Sequence, residues 1–202
     1  LVQAGYDRSF EMLPGIGSPT TLGLLELPAM TSMITWDESN RTLWLPDGVH
    51  LDFGGTAKGW AAEKAVERLK CHGPALVDAG GDIAVSGPQL DGQPWPIGVR
   101  DPFQPENHFE TLLIDRGVTA TSGIDYHRWQ QGGQWNHHII DPRTGLPADT
   151  DLLTVTVVAP DAIRAEAAAK AVLILGSEAG MDWLESNPDL AGIIILQSGE
   201  TL

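Results

Sequence analysis

The chain has 202 residues, of which 42% are hydrophobic, so it is long enough to bury one core and is predicted to form a single domain over residues 1–202. Its formal net charge of −15 argues against nucleic-acid binding, because the protein's own field would repel a polyanion. The single cysteine, Cys71, excludes an intrachain disulfide. No apolar run approaches the ~20 residues that span a bilayer, so no transmembrane segment is predicted.

Short β-prone runs follow an irregular N-terminal stretch. Residues 11–29 are rich in proline and glycine without a clear period, and we predict a loop there. Residues 31–36 and 42–46 are separated by four polar residues, a pattern typical of a hairpin. We expect a further strand over residues 49–53.

The first helix is predicted over residues 56–70, because its apolar residues recur at helical spacing and Gly73-Pro74 ends the pattern. The helix begins at the Gly54-Gly55 turn. Its first backbone N–H groups, and the positive end of its dipole, therefore face whatever lies above that turn.

The rest of the chain alternates between strands and helices. Helices are predicted near residues 161–175 and 178–186. Because the helices interrupt a mainly antiparallel series of strands, we expect an α+β fold in layers, not a doubly wound sheet. The predicted strands are residues 75–78, 83–86, 95–100, 109–115, 118–121, 135–140 and 193–196.

Residues 138–145 combine an imidazole, a carboxylate, a proline turn, a hydroxyl and a glycine within eight positions. His138 and Asp141 are the pairing expected of a proton-transfer site, although a lone histidine on a strand is more often a packed residue with a satisfied ring. His137 is adjacent, so on a strand only one of the two imidazoles can reach the pocket that Asp141 faces. The spacing of the histidines does not indicate a zinc site.

The Gly54-Gly55 turn lies between Asp52 and Lys58. A lysine in the first helical turn opposes the dipole, and a bound anion would explain it; a solvated lysine on an exposed face is the alternative. Two more turns are open to both interpretations. Gly80-Gly81-Asp82 suits an ordinary hairpin, and the hydroxyls of Thr121-Ser122-Gly123 suit either phosphate oxygens or a turn.

Four segments in order resemble the ApbE-type FAD:protein FMN transferases, over roughly residues 50–176. They are Leu51-Asp52-Phe53-Gly54-Gly55-Thr56-Ala57-Lys58-Gly59-Trp60, Ala75-Leu76-Val77-Asp78-Ala79-Gly80-Gly81-Asp82-Ile83, Thr121-Ser122-Gly123 and residues 138–145. The resemblance implies transfer of FMN from FAD to a Ser or Thr hydroxyl of an acceptor protein, with release of AMP. It also implies that this chain is the C-terminal part of a catalytic domain, lacking its N-terminal segment. Acceptors in this family are often redox proteins of the cell envelope, which implies an extracytoplasmic location.

The resemblance also implies roles for individual residues. His138 would take the proton of the acceptor hydroxyl, with Asp141 orienting it or holding a ligand. The backbone carbonyl of Gly55 and the carboxylate of Glu166 would bind Mg²⁺. The predicted contacts to the flavin nucleotide are Asp52, Lys58, Thr121, Ser122 and Ile140.

One position departs from the family pattern. Family members commonly carry on the second helix an Asp and, four residues later, a Thr that both reach Mg²⁺, whereas this chain has Glu166 and Lys170. The two residues share a helix face and would form an ordinary ion pair, or the ammonium would take part of the space and charge of the metal. The departure suggests one alternative, a flavin-binding protein without transferase activity. An FAD pyrophosphatase, which would use the same pocket with water as nucleophile, is a second alternative. A purely structural interaction domain is the remaining alternative.

Overall fold

The computed structural model describes residues 34–131 and 134–202, which form eleven strands, three α-helices and a short 3₁₀ turn at Lys70–His72. The strands are β1 Thr35–Asp37, β2 Thr42–Trp44, β3 Leu76–Asp78, β4 Ile83–Val85, β5 Trp95–Arg100, β6 His108–Ile114, β7 Gly117–Gly123, β8 Arg128–Gln131, β9 Gln134–His137, β10 Leu152–Ala159 and β11 Ala191–Leu196. The helices are α1 Ala57–Leu69, α2 Ala162–Leu175 and α3 Ser177–Glu185.

Five strands form the main sheet, in the order β11-β10-β7-β4-β3, and every neighbouring pair is antiparallel. The strands β1–β2, β5–β6 and β8–β9 form three separate two-stranded antiparallel ribbons. This architecture confirms the predicted α+β class with mainly antiparallel strands.

The helices cover one face of the main sheet. Val157 of β10 and Ala120 of β7 point toward this face, against α2 and α1 respectively. The strand residues that alternate with these point to the other face and pack against the β5–β6 ribbon, where Val85 contacts Ile97 and Ile114. The molecule is therefore layered, because successive residues of each strand alternate between the two faces.

Helix α2 starts directly after β10, and hydrogen bonds to carboxylates hold its first turn in place. Asp161 caps the helix by accepting a hydrogen bond from the backbone N–H of Arg164, 2.9 Å away. The backbone N–H of Ala162 donates to the Glu63 carboxylate of α1 at 2.9 Å. These contacts fix the start of α2 beside α1, so the side chains one and two turns later face the beginning of α1.

The sequence predictions are confirmed for α1 and for the hairpin of β1 and β2, as far as the structure describes it. Two strands were missed, β8 and the long β10, and the strand predicted over residues 49–53 is wrong, because those residues form no strand. The strand predicted over residues 135–140 ends at His137; beyond it Ile140 forms only an isolated bridge. The predicted loop at residues 11–29 lies outside the described residues.

Among the described residues, no helix has both the length and the apolar character needed to cross a membrane.

We predict that Leu173→Ala lowers the free energy of unfolding by about 3 kcal/mol, because the side chain is fully buried against the sheet and its removal leaves a cavity. Ile163→Ala on the same helix is the control, since 60% of that residue is exposed. Urea denaturation of the two variants measures the difference. Equal losses would show that α2 does not pack as described.

Candidate active site

The loop before α1 is a compact turn held by its own polar groups. Oδ1 of Asp52 accepts a hydrogen bond from the Gly54 N–H at 2.7 Å. The carbonyl of Phe53 accepts from the N–H groups of Thr56 and Ala57 at 3.0 and 2.8 Å. Asp52, a predicted flavin contact, is exposed, and its carboxylate here stabilises the turn that starts α1.

The carboxylate of Glu166 is the most deeply buried acidic group of the site, with 2% of the residue exposed. Oε1 accepts a hydrogen bond from the backbone N–H of Gly59 in α1 at 2.9 Å. A Cβ atom at position 59 would lie only 2.6 Å from Oε1, so the contact requires glycine. Gly59 was not among the residues predicted from the sequence, although a glycine inside a helix is a signal of close approach.

Lys170, one helical turn after Glu166, lies between the two predicted metal ligands. Its Nζ donates to the carbonyl oxygen of Gly55 at 2.8 Å and lies 3.3 Å from Oε2 of Glu166. The structure thus brings Gly55 and Glu166 together as the resemblance implies, but an ammonium group occupies the space between them. With that group in place, the donor set does not fit a divalent metal ion, which would need the same oxygens and would meet a positive charge.

Lys58, a predicted contact to the flavin nucleotide, pairs with Oδ2 of Asp82 at 3.0 Å. Asp82 is 4% exposed and follows the β3–β4 turn, in which Gly80 and Gly81 both have positive φ. That segment is therefore a hairpin turn, and it also delivers a carboxylate to the start of α1. The chain's own Asp82 supplies the anion that explains a lysine near the positive end of the helix dipole. About half of the Lys58 side chain stays exposed, at 55%.

His138 follows β9 and is half buried, and its Nδ1 has no hydrogen-bond partner among the described residues. Its ring meets that of His127 edge to face, with 5.2 Å between the centroids. Burial lowers the pKa of His138 to about 4, with further lowering by the charges of His127, His137 and Lys170. The ring is therefore neutral at pH 7. His137 points elsewhere, with Nε2 3.0 Å from the carbonyl oxygen of Ala148.

The carboxylate of Asp141 is bound by Arg143 and not by His138. Oδ1 accepts from the Arg143 N–H at 2.8 Å, and Nη2 of the same guanidinium donates to Oδ2 at 2.8 Å. Hydrogen bonds from Arg143 hold the pKa of Asp141 below its usual range. The backbone carbonyl of Asp141 also accepts from Gly145, whose φ is 72°. Asp141 therefore organises this turn, and an orienting contact to His138 is not present.

Thr121 and Ser122 do not face one site. Oγ1 of Thr121 lies 2.9 Å from Oγ1 of Thr156, whereas Ser122 shares the helix-covered face with Ala120 and is 6% exposed. Adjacent strand residues point to opposite faces, so the two hydroxyls cannot bind one phosphate together. The side chain of Ile139, not that of Ile140, enters the core beside α2. The roles of Thr121, Ser122 and Ile140 as flavin contacts stay predictions.

The sequence profile of the ApbE family matches residues 19–194. The chain belongs to the ApbE family. Among its relatives, an FAD:protein FMN transferase of Treponema pallidum is 34% identical over 159 residues, covering 73% of this chain and 44% of the relative. The enzyme of the same name from Salmonella typhimurium is 30% identical over 159 residues, covering 77% of this chain and 45% of the relative.

Crystal structures show the same fold. The ApbE protein of Thermotoga maritima is 32% identical, with a TM-score of 0.71 over 84% of this chain and 56% of that one. The apo flavinyl transferase ApbE of Pseudomonas stutzeri is 27% identical, with a TM-score of 0.68 over 84% of this chain and 52% of that one. The chain spans about half the length of these ApbE relatives.

We predict that Gly59→Ala lowers the free energy of unfolding by about 2 kcal/mol, because the new methyl group displaces the buried Glu166 carboxylate from its N–H donor. Helix propensity alone predicts the opposite sign, a gain of about 1 kcal/mol. Gly87→Ala is the control, since a Cβ there meets open space. Thermal or urea unfolding measures the stability of both variants. A Gly59→Ala variant as stable as wild type would refute the role of Gly59 in admitting the Glu166 carboxylate.

We predict that the His138 ring titrates with a pKa of about 4, measured from its ring signals by two-dimensional NMR and assigned by their loss in His138→Asn. Because the folded-state pKa lies below the ordinary value of 6.5, the unfolded chain takes up the proton first. The stability of wild type relative to His138→Asn should therefore fall as the pH drops from about 6.5 to about 4. A ring pKa of 6.5 or above would contradict the buried, neutral imidazole.

Proposed function

We propose that this ApbE-family chain belongs to an FAD:protein FMN transferase, which moves FMN from FAD to a Ser or Thr hydroxyl of an acceptor protein and releases AMP. The observation that carries the proposal is the imidazole of His138, which burial keeps neutral, which hydrogen-bonds the His127 backbone and whose buried Nδ1 has no partner among the described residues. The named activity of the relatives supports it.

In the proposed reaction, the acceptor oxygen attacks the phosphorus atom of the FMN half, and the bond from that phosphorus to the AMP oxygen breaks. The hydroxyl proton passes to His138, and AMP leaves with the bridging oxygen. With a pKa of about 4, His138 accepts the proton readily only as the oxygen becomes acidic during attack. Positioning of the alcohol and the charges around the phosphates therefore supply most of the rate enhancement.

The start of α1 is the proposed place for the diphosphate. The helix dipole favours an anion at this end. The N–H groups of Thr56 and Ala57 already donate to the Phe53 carbonyl, and that of Gly59 donates to Glu166, so the dipole and Lys58 carry the proposed attraction. The side chain of Lys58 is more than half exposed, and its ammonium reaches this end of the helix while paired with Asp82. Asp52 fixes the turn beneath it. We propose that Lys58 contacts the phosphates and that Asp52 contributes mainly by holding the loop.

Mg²⁺ at Gly55 and Glu166 is implied by the family resemblance, and we assign it no step, because the ammonium of Lys170 lies between those two ligands. The same observation favours a second candidate function, flavin binding without transfer. An FAD pyrophosphatase would use water in place of the acceptor hydroxyl and release free FMN. The acceptor protein and the extracytoplasmic location stay predictions.

The test is incubation of the chain with FAD and a flavinylatable acceptor protein, following flavin fluorescence of the acceptor and AMP release. We predict that His138→Asn lowers transfer about 10²-fold or more and leaves FAD binding intact, because only proton removal is lost. His72→Asn, an exposed histidine outside the site, is the control.

Three other results have distinct meanings. FAD binding without AMP release by the wild type would favour the flavin-binding protein. Free FMN with no labelled acceptor would favour the pyrophosphatase. Full transfer by His138→Asn would rule out its assignment as the base.

A further inference from the structure

The ammonium group of Lys170 is surrounded by oxygen atoms. Nζ lies 2.8 Å from the carbonyl oxygen of Gly55, 3.3 Å from Oε2 of Glu166 and 3.4 Å from the backbone carbonyl oxygen of Glu166. An ammonium has three N–H donors and no acceptor, and each donor here has one oxygen. The three oxygens form a cation-binding position that the chain fills with its own side chain.

The charges of this position are already balanced. Glu166 is 2% exposed; Oε1 is bound by the Gly59 N–H, and Oε2 faces the ammonium. A divalent ion such as Mg²⁺ binds several hard oxygens at short distance. It would need Gly55 and Glu166, the two groups that Lys170 holds, and the ammonium would repel it.

The turn before α1 and the first turn of the helix leave space for these side chains. A Cβ atom at Gly55 would lie 3.0 Å from Cε of Lys170, and one at Gly59 would lie 2.6 Å from Oε1 of Glu166. Only glycine permits both approaches without a shift of the neighbours. The lysine stem therefore packs closely against the turn, and only 32% of its side chain is exposed.

We propose that Lys170 is a fixed internal cation that replaces a divalent metal ion at this site, so that the chain holds flavin nucleotide without one. The proposal rests on the proposed function and specifies the ion requirement of that same site. Without a cation, the Glu166 carboxylate and the Gly55 carbonyl would repel a diphosphate bound at the start of α1. Lys170 removes that repulsion permanently, because its charge is attached to α2.

The first experiment needs no flavin. Mn²⁺ is titrated into the chain, and free Mn²⁺ is followed by electron paramagnetic resonance, for wild type, Lys170→Thr and Lys64→Thr. Lys64 is an exposed lysine of α1 that pairs with Glu67, so it controls for the loss of one positive charge. We expect no binding by wild type or Lys64→Thr, and one Mn²⁺ per chain for Lys170→Thr, because a hydroxyl oxygen then joins Gly55 and Glu166.

Adding Glu166→Ala to Lys170→Thr should remove the gained site. Wild type that binds Mn²⁺ as tightly as Lys170→Thr would overturn the proposal, and so would a folded Lys170→Thr chain that binds none. Circular dichroism checks the fold of each variant. If Lys170→Thr unfolds in EDTA, refolding on addition of Mn²⁺ supports the proposal, and failure to refold overturns it.

The second experiment measures the dissociation constant of FAD by flavin fluorescence, in EDTA and in Mg²⁺. For wild type we expect the same dissociation constant in EDTA and in Mg²⁺. For Lys170→Thr we expect FAD affinity in EDTA to be about tenfold weaker, and Mg²⁺ to restore it. If Mg²⁺ strengthens FAD binding by wild type tenfold or more, the proposal is overturned. If the variants bind Mn²⁺ as expected but none of them binds FAD, the proposed function is overturned and the role of Lys170 is not. The failure of each proposal can therefore be told from that of the other.

Discussion

The buried carboxylate of Glu166 joins the two helices on which the site is built. One oxygen takes an N–H of α1 that has no acceptor in its own helix, and the other faces the ammonium of Lys170. Removing either partner would leave a buried charge poorly compensated, which is costly in a protein interior. Gly59 lets the carboxylate approach, and the Asp161 cap together with Glu63 places the start of α2 beside α1. The position of Lys170 follows from these constraints.

The site contains two positive groups that each have an acidic partner, in a chain whose formal net charge is −15. Lys58 lies against Asp82, and Lys170 lies against Glu166. These two pairs add no net negative charge at the start of α1, although the exposed carboxylate of Asp52 lies in the preceding turn. The local ion pairs therefore reduce the repulsion that the protein's net charge exerts on a phosphate. The uncharged ring of His138 is kept neutral mainly by burial.

Helix α1 was predictable because its apolar spacing and its glycine-proline end are local signals. Strand β10 was missed, although its run of Val and Thr is typical of a buried strand, and that strand pairs with both β7 and β11. Four short segments were enough to predict the ApbE family. They could not show that Arg143 binds Asp141, that Asp82 pairs with Lys58, or that Thr121 and Ser122 face opposite sides. Those facts depend on how distant elements pack.

An ammonium group, and not a metal ion, occupies the position between Gly55 and Glu166. A crystal structure of the chain grown in MnCl₂, with anomalous data collected at the manganese edge, would show which cation lies there. We expect no anomalous peak at this position, and Nζ of Lys170 within hydrogen-bond distance of the Gly55 carbonyl oxygen. An anomalous peak bound to Gly55 and Glu166, with Lys170 turned away into solvent, would contradict it.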